Sequence, residues 1–156
     1  MGRIGGRQGT GMRVDIRLLE QQHATIRAAI EELHALTDMP ADRGLPMVVK
    51  ARLRLAKAVA DNVATEIAQI HAPLKAHRLT HHIPEYGAIE ACSNELRGLF
   101  STHIARWTLP AIRQDWVGYA RSMRDITGQL ADLIDREDQW LFPAAAALLA
   151  RIEPTG

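Results

Sequence analysis

The sequence contains only one cysteine, Cys92, so the chain cannot form an internal disulfide bond. Its fold must instead rest on an apolar core, for which 156 residues with 47% apolar content are sufficient. Proteins without disulfide bonds are typical of reducing compartments. We therefore expect one cytoplasmic domain that folds without covalent cross-links.

The sequence also lacks a large net charge and a long apolar run. Its 19 basic and 18 acidic residues nearly cancel, and the basic residues are spread along the chain, so we expect no nucleic-acid partner. The longest apolar stretch, residues 140–150, is too short to cross a bilayer, and the N-terminus has no apolar signal-peptide core. We expect neither membrane insertion nor export.

No alternating strand pattern is present, whereas apolar residues recur at intervals of three and four, as in helices. Residues 1–12 carry many glycines and are predicted to form a flexible arm; residues 151–156 are predicted to form a short tail. Between them, proline and glycine divide residues 13–150 into four segments: about 13–37, about 46–77, from Tyr86, and after Pro110. These segments predict an all-α, up-down-up-down four-helix bundle.

Three polar residues interrupt the apolar seams of this bundle: His23 on the first helix, Glu66 on the second and Glu137 on the fourth. A buried carboxylate without a partner costs several kcal/mol or becomes neutral, so a bound cation would be an effective compensation. All three lie roughly 15 to 20 Å from the same end of the bundle. The alternative is that they are rim residues paired with arginines such as Arg27 and Arg97, or with Arg136.

The pattern of these residues resembles that of the hemerythrin-like HHE domains. That family has a histidine on the first helix, H-x-x-x-E on the second, a histidine on the third, and H-I-x-x-E-E-x-x-L-F-P on the fourth. This chain resembles the family over nearly all of residues 12–150, most closely at LIDREDQWLFP, residues 133–143, where Glu137 takes the ligand position. The resemblance implies the hemerythrin-like bundle and a metal centre inside it.

The chain departs from the family where other histidines are expected. Leu133 and Asn62 replace the histidines four residues before Glu137 and Glu66, and Tyr86 stands opposite His23 in a weak internal repeat. Leucine cannot bind metal, asparagine offers a neutral oxygen, and a tyrosine phenolate favours Fe(III). The resemblance therefore implies a degenerate site for non-haem iron, mononuclear or dinuclear.

Six residues are the candidate metal ligands. His71 is included because it is the histidine of the following His-rich stretch that is nearest in sequence to Glu66. The complete set is His23, Glu66, Glu137, Tyr86, Asn62 and His71.

The remaining histidines are assigned less specific roles. His77 and His81 are four residues apart and would chelate a metal if that stretch were helical; the alternative is a solvated loop. His34 and His103 lie far from the proposed layer and are expected to pack or face solvent.

Three functions remain open at this point. The first is a metal-binding domain that senses or binds oxygen, redox state or iron, with a small ligand such as dioxygen. The second is a metal-free bundle acting as a regulatory or dimerising module, for which a neutral surface would permit a homodimer. The third, an enzyme, has least support because no base, nucleophile or substrate pocket can be read from the sequence.

Overall fold

The computed structural model describes residues 13–152, and every regular element in this range is a helix. This confirms the all-α prediction for the described part of the chain. The predicted arm at residues 1–12 and positions 153–156 of the predicted tail lie outside the described residues. The α-helices are α1 (Ile16–Thr37), α2 (Ala41–Glu66), α3 (Ala72–Ala76), α4 (Tyr86–Arg106), α5 (Leu109–Gln114), α6 (Trp116–Arg136) and α7 (Phe142–Ala150).

Two π-helical turns join consecutive α-helices without a loop. Ile67–His71 joins α2 to α3, and Glu137–Leu141 joins α6 to α7. A proline follows each turn by two residues, at Pro73 and Pro143. Proline cannot donate to the carbonyl four residues before it and its ring displaces that carbonyl, which favours a widened turn just upstream.

The long helices pack around a shared apolar core. α1 lies along α2 and also contacts α6, and α4 lies along α6, whereas α2 and α4 barely touch. None of the helices within residues 13–152 is both long and apolar enough to cross a membrane. The weak contact between α2 and α4 leaves open space on that side of the core.

Side-chain caps set the starts of α1 and α6. Asp15 accepts a hydrogen bond from Leu18 N at 3.0 Å, so α1 begins at Ile16, three residues after the predicted start. Asp115 accepts from Gly118 N at 2.9 Å and ends the short helix α5. The predicted fourth helix is therefore divided into α5 and α6, because the cap at Asp115 starts a new helix despite the helical period of the residues around it.

The predicted start of the second helix at Pro46 was wrong, because α2 begins at Ala41 and contains Pro46. Trp116 packs against Gly44, where an added Cβ would lie 2.5 Å from the indole, and its Nε1 donates to Met39 O at 3.0 Å. This packing stabilises a helical turn before the proline, at the cost of one backbone hydrogen bond.

Candidate metal centre

His23, Glu66 and Glu137 meet inside the protein. They come from the middle of α1, the last residue of α2 and the first residue of the second π-helical turn. Only 0%, 5% and 4% of their surfaces are exposed. One potential ligand atom of each residue lies within 4.8 Å of those of the other two. No other three histidine, cysteine, aspartate or glutamate residues within residues 13–152 are arranged in this way.

The distances between these atoms fit a shared cation. His23 Nε2 lies 3.5 Å from Glu137 Oε1 and 3.7 Å from Glu66 Oε2, and it has no hydrogen-bond partner among the described residues. These separations are long for hydrogen bonds. Two ligand atoms that share an ion at about 2.1 Å, with angles of about 110 to 120°, are about 3.5 Å apart. The spacing between His23 Nε2 and the two carboxylate oxygens therefore fits a single shared cation.

A second carboxylate fixes the orientation of the His23 ring. Asp138 Oδ1 lies 2.8 Å from His23 Nδ1, and Asp138 Oδ2 accepts a hydrogen bond from Arg27 at 2.8 Å. Arg27 also binds Asp135 at 2.7 Å. With Nδ1–H donated to Asp138, Nε2 is aimed at the two glutamates, and such a carboxylate–histidine pair is characteristic of metal sites.

The three residues have strongly perturbed acidities. Burial disfavours the imidazolium of His23, but contacts with Glu137, Glu66 and Asp138 outweigh it and raise the pKa of His23 to about 10. Burial and the nearby Glu66 carboxylate raise the pKa of Glu137 to about 8 despite its contact with His23. Burial opposes ionisation of Glu66 too, yet contacts with His23 and His71 hold the pKa of Glu66 below its usual range. The raised pKa values of His23 and Glu137 mean that, in the absence of a metal ion, protons reduce the repulsion between the two glutamates.

His71 approaches the cluster through the first π-helical turn. Its Nε2 lies 3.7 Å from Glu66 Oε1, five residues earlier in the chain. Residues five apart face different directions in an α-helix but the same direction in a π-turn. The π-turn therefore places His71 beside the carboxylate.

Tyr86 is inward-facing but contacts His71 and not the three central residues. Its hydroxyl lies 2.8 Å from His71 Nδ1 and 3.4 Å from Glu90 Oε2, which in turn pairs with Lys75 at 2.8 Å. Burial and the Glu90 carboxylate raise the pKa of Tyr86 above its usual range. Tyr86 and His71 thus form a polar chain from Glu66 towards the surface.

Asn62 is buried near the cluster, and the NH2 group of its amide is engaged. It donates to Gln22 Oε1 at 3.1 Å, and Gln22 donates to Thr65 at 2.8 Å. A cavity of about 140 Å³ adjoins this region, and Asn62, Glu66, Glu137 and Leu133 contribute to its walls. Leu133 makes the wall apolar where the resemblance would place a histidine.

The alternative of rim glutamates paired with arginines does not hold. Glu66 and Glu137 are buried, and neither forms an ion pair with an arginine within residues 13–152. Arg27 binds Asp135 and Asp138 instead.

The other histidines do not join the centre. α3 ends at Ala76, so His77 and His81 do not form the helical pair that would chelate a metal; both are exposed. His34 Nε2 meets Thr127 Oγ1 at 2.9 Å and His103 Nδ1 meets Ser122 Oγ at 3.1 Å, which confirms that these two are packing residues.

Asp138 and Arg27 are the residues that sequence reasoning missed as parts of the centre. The signal for Asp138 was available, because it occupies the second acidic position of the E-E pair in the resembling motif. No sequence pattern indicated that Arg27 would bind Asp138 across 111 positions of the chain.

Comparison with known proteins yields no further assignment, since no family model, curated protein or solved structure matches the chain.

Proposed function

We propose that this chain is a hemerythrin-like domain that binds one non-haem iron ion through His23, Glu66 and Glu137 and acts in sensing or binding rather than in catalysis. In this proposal α1, α2 with α3, α4, and α6 with α7 form the up-down-up-down bundle, and α5 is an added turn. A cytoplasmic location belongs to the same proposal. The observation that carries it is the buried Nε2 of His23, which has no hydrogen-bond partner within residues 13–152 and faces two buried carboxylates at 3.5 and 3.7 Å.

Charge balance supports a divalent ion. The pKa of His23 is raised to about 10 and that of Glu137 to about 8, whereas the pKa of Glu66 is lowered, so the metal-free cluster as a whole retains about two protons near neutral pH. Replacing both protons by one divalent cation leaves the buried charge unchanged. The exchange therefore avoids the large cost of adding net charge to a protein core.

One ion is favoured over two because few strong donors surround the cluster. Asn62 offers only a neutral carbonyl oxygen, Leu133 is apolar, and the Tyr86 hydroxyl is hydrogen-bonded to His71. His71 is the residue placed to assist, since it already lies beside Glu66. One nitrogen and several oxygens suit iron or manganese better than copper.

Bound iron would supply a reversible one-electron change and free coordination positions for a small ligand such as dioxygen. The residues of this chain orient that centre and protect it. Asp138 holds the His23 ring, and Phe142 covers it, with ring centroids 5.0 Å apart. The adjoining cavity of about 140 Å³ gives space for a small molecule but not for a large substrate.

A metal-free regulatory module is the second candidate function. The specific observation in its favour is that the raised pKa values of His23 and Glu137 allow protons to neutralise the cluster without any metal. Such a protein would keep the bundle and use its surface for partners, including a second copy of the chain.

Anaerobic loading with Fe(II) separates the two functions. We expect about one iron per chain, strongly reduced in Glu66→Gln and Glu137→Gln, since each loses an anionic ligand while keeping its volume. Glu20→Gln, an exposed position on α1, is the matched control and should retain the iron. Iron no higher in the parent than in the two glutamine variants would instead favour the metal-free module.

A further inference from the structure

An apolar groove lies between α2, α4 and α6, distinct from the cluster around His23. Its volume is about 400 Å³, within the range of about 300 to 1,000 Å³ that is usual for small-molecule sites. It exists because α2 and α4 barely contact each other. The groove is therefore a built-in space of the fold and large enough for an organic ligand.

The rims of this groove are apolar and open to solvent. Val49 and Leu53 on α2 are 42% and 65% exposed, and Ile104 on α4 is 55% exposed. Exposed aliphatic side chains on two facing helices are unfavourable in water, and a ligand with an alkyl chain would cover them.

The interior of the groove carries positive charge. Arg52 lies on its wall, with the guanidinium carbon 5.9 Å from the centre of the Tyr119 ring. One of its N–H groups donates to Trp107 O at 3.0 Å, while an arginine has five such donors. No acidic residue lines the groove. The remaining donors of Arg52 therefore suit an anion.

Tyr119 supports Arg52 from behind the same wall. Its side chain is fully buried, so its hydroxyl, which has no hydrogen-bond partner within residues 13–152, is out of reach of a ligand in the groove. The aromatic ring lies beneath the Arg52 guanidinium and favours its charge at this position.

We propose that this groove binds a medium-chain fatty acid, with its carboxylate on Arg52 and its alkyl chain between Leu53 and Ile104. A carboxylate matches the guanidinium in charge and geometry. The alkyl chain covers the apolar rims. The proposal is independent of metal binding, because none of these residues contacts His23, Glu66 or Glu137 in the cluster described above.

Titration calorimetry with decanoate below its micelle concentration tests this proposal in the full chain. Decanol and decyltrimethylammonium are matched probes with the same chain and a neutral or cationic head. We expect saturable binding of decanoate, weaker binding of decanol and none of the cation. Equal binding of decanoate and the cation would overturn the proposal, because it would mean that head-group charge is not recognised.

Variants locate the binding. Arg52→Gln should weaken decanoate binding by about tenfold or more, because a charge-assisted hydrogen bond is lost. Arg54→Gln is the matched control, since Arg54 is an exposed arginine on the same helix that pairs with Glu32 and should leave binding unchanged. Equal losses in both variants would overturn the assignment to Arg52.

Two further variants keep the test decisive if Arg52→Gln fails to fold. Leu53→Asn should weaken decanoate binding, because the alkyl chain loses an apolar contact, and it should fold normally, because Leu53 is 65% exposed. Ala56→Trp should fill the groove from its exposed side and abolish binding, whereas Ala88→Trp, exposed on α4, should not. A chain that binds no decanoate but dimerises in light scattering, with Ala56→Trp abolishing the dimer, would assign the groove to a second copy and overturn the proposal.

Discussion

His23 and Asp138 are 115 positions apart in the sequence, and their Nδ1 and Oδ1 atoms lie 2.8 Å apart in a partly buried contact. This contact ties α1 to the turn after α6 and determines which nitrogen of His23 faces the glutamates. The proposed function depends on that orientation.

Replacing Asp138 by asparagine should therefore weaken iron binding without removing a proposed ligand. Loss of such a supporting carboxylate typically costs about 10 to 100-fold in metal affinity. Competition with a chromogenic chelator would measure the change. Asp135→Asn is the control, since Asp135 also binds Arg27 but does not contact His23. An unchanged affinity in Asp138→Asn would show that this contact does not orient a ligand.

Metal binding should release about two protons near neutral pH. The pKa of His23 is raised to about 10 and that of Glu137 to about 8, so both are protonated in the metal-free protein and must lose their protons to bind a cation. Affinity should accordingly rise with pH, more steeply below about 8, where two protons are displaced, than between about 8 and 10, where only the proton of His23 remains. Calorimetry in buffers of different ionisation enthalpy counts the protons; a count near zero would contradict the assignment of these two ligands.

The contribution of Glu137 to the stability of the metal-free protein should fall as pH rises from about 4.5 to about 8. In this window Glu137 is protonated in the folded state and ionised in the unfolded state, because burial raises its folded pKa to about 8 from 4.5. The folded state then binds more protons, so each increase in pH favours unfolding. His23, with its folded pKa raised to about 10 from 6.5, acts in the same direction at higher pH. Urea unfolding at several pH values should show a flatter profile for Glu137→Gln than for the parent protein, and parallel profiles would argue against a perturbed Glu137.

Gly44→Ala should destabilise the protein by about 1 to 3 kcal/mol or more, because the added methyl group overpacks a close contact. Its Cβ would lie 2.5 Å from both Leu36 O and the Trp116 ring. Gly98→Ala is the matched control on α4, where the new Cβ meets nothing within 4 Å and should stabilise the helix by about 0.5 to 1 kcal/mol. Urea unfolding of both variants gives the comparison, and a neutral Gly44→Ala would contradict the packing described for Trp116.

The sequence allowed the all-α class and the meeting of three residues to be predicted, because apolar periodicity places residues on helix faces even when boundaries are uncertain. His23, Glu66 and Glu137 were recognisable as polar interruptions of those faces. The start of α2 was missed because Pro46 is an apparent helix boundary, whereas the packing of Trp116 on Gly44 outweighs the proline.

The parts of the site that could not be predicted depend on tertiary contacts or on irregular turns. The contact between His71 and Glu66 requires a π-turn, and helical periodicity places residues five apart on different faces. Arg27 joins the centre through an aspartate on a distant helix. The prolines after both turns are the available sequence signal, and they mark where a regular helix cannot continue unchanged.

The most direct test of the proposed function is the anomalous scattering of crystals grown anaerobically with Fe(II), measured on both sides of the iron edge. The proposed function predicts one iron peak between His23 Nε2 and the carboxylates of Glu66 and Glu137. A map with no iron peak at that position, from crystals in which those three side chains are well ordered, would contradict it.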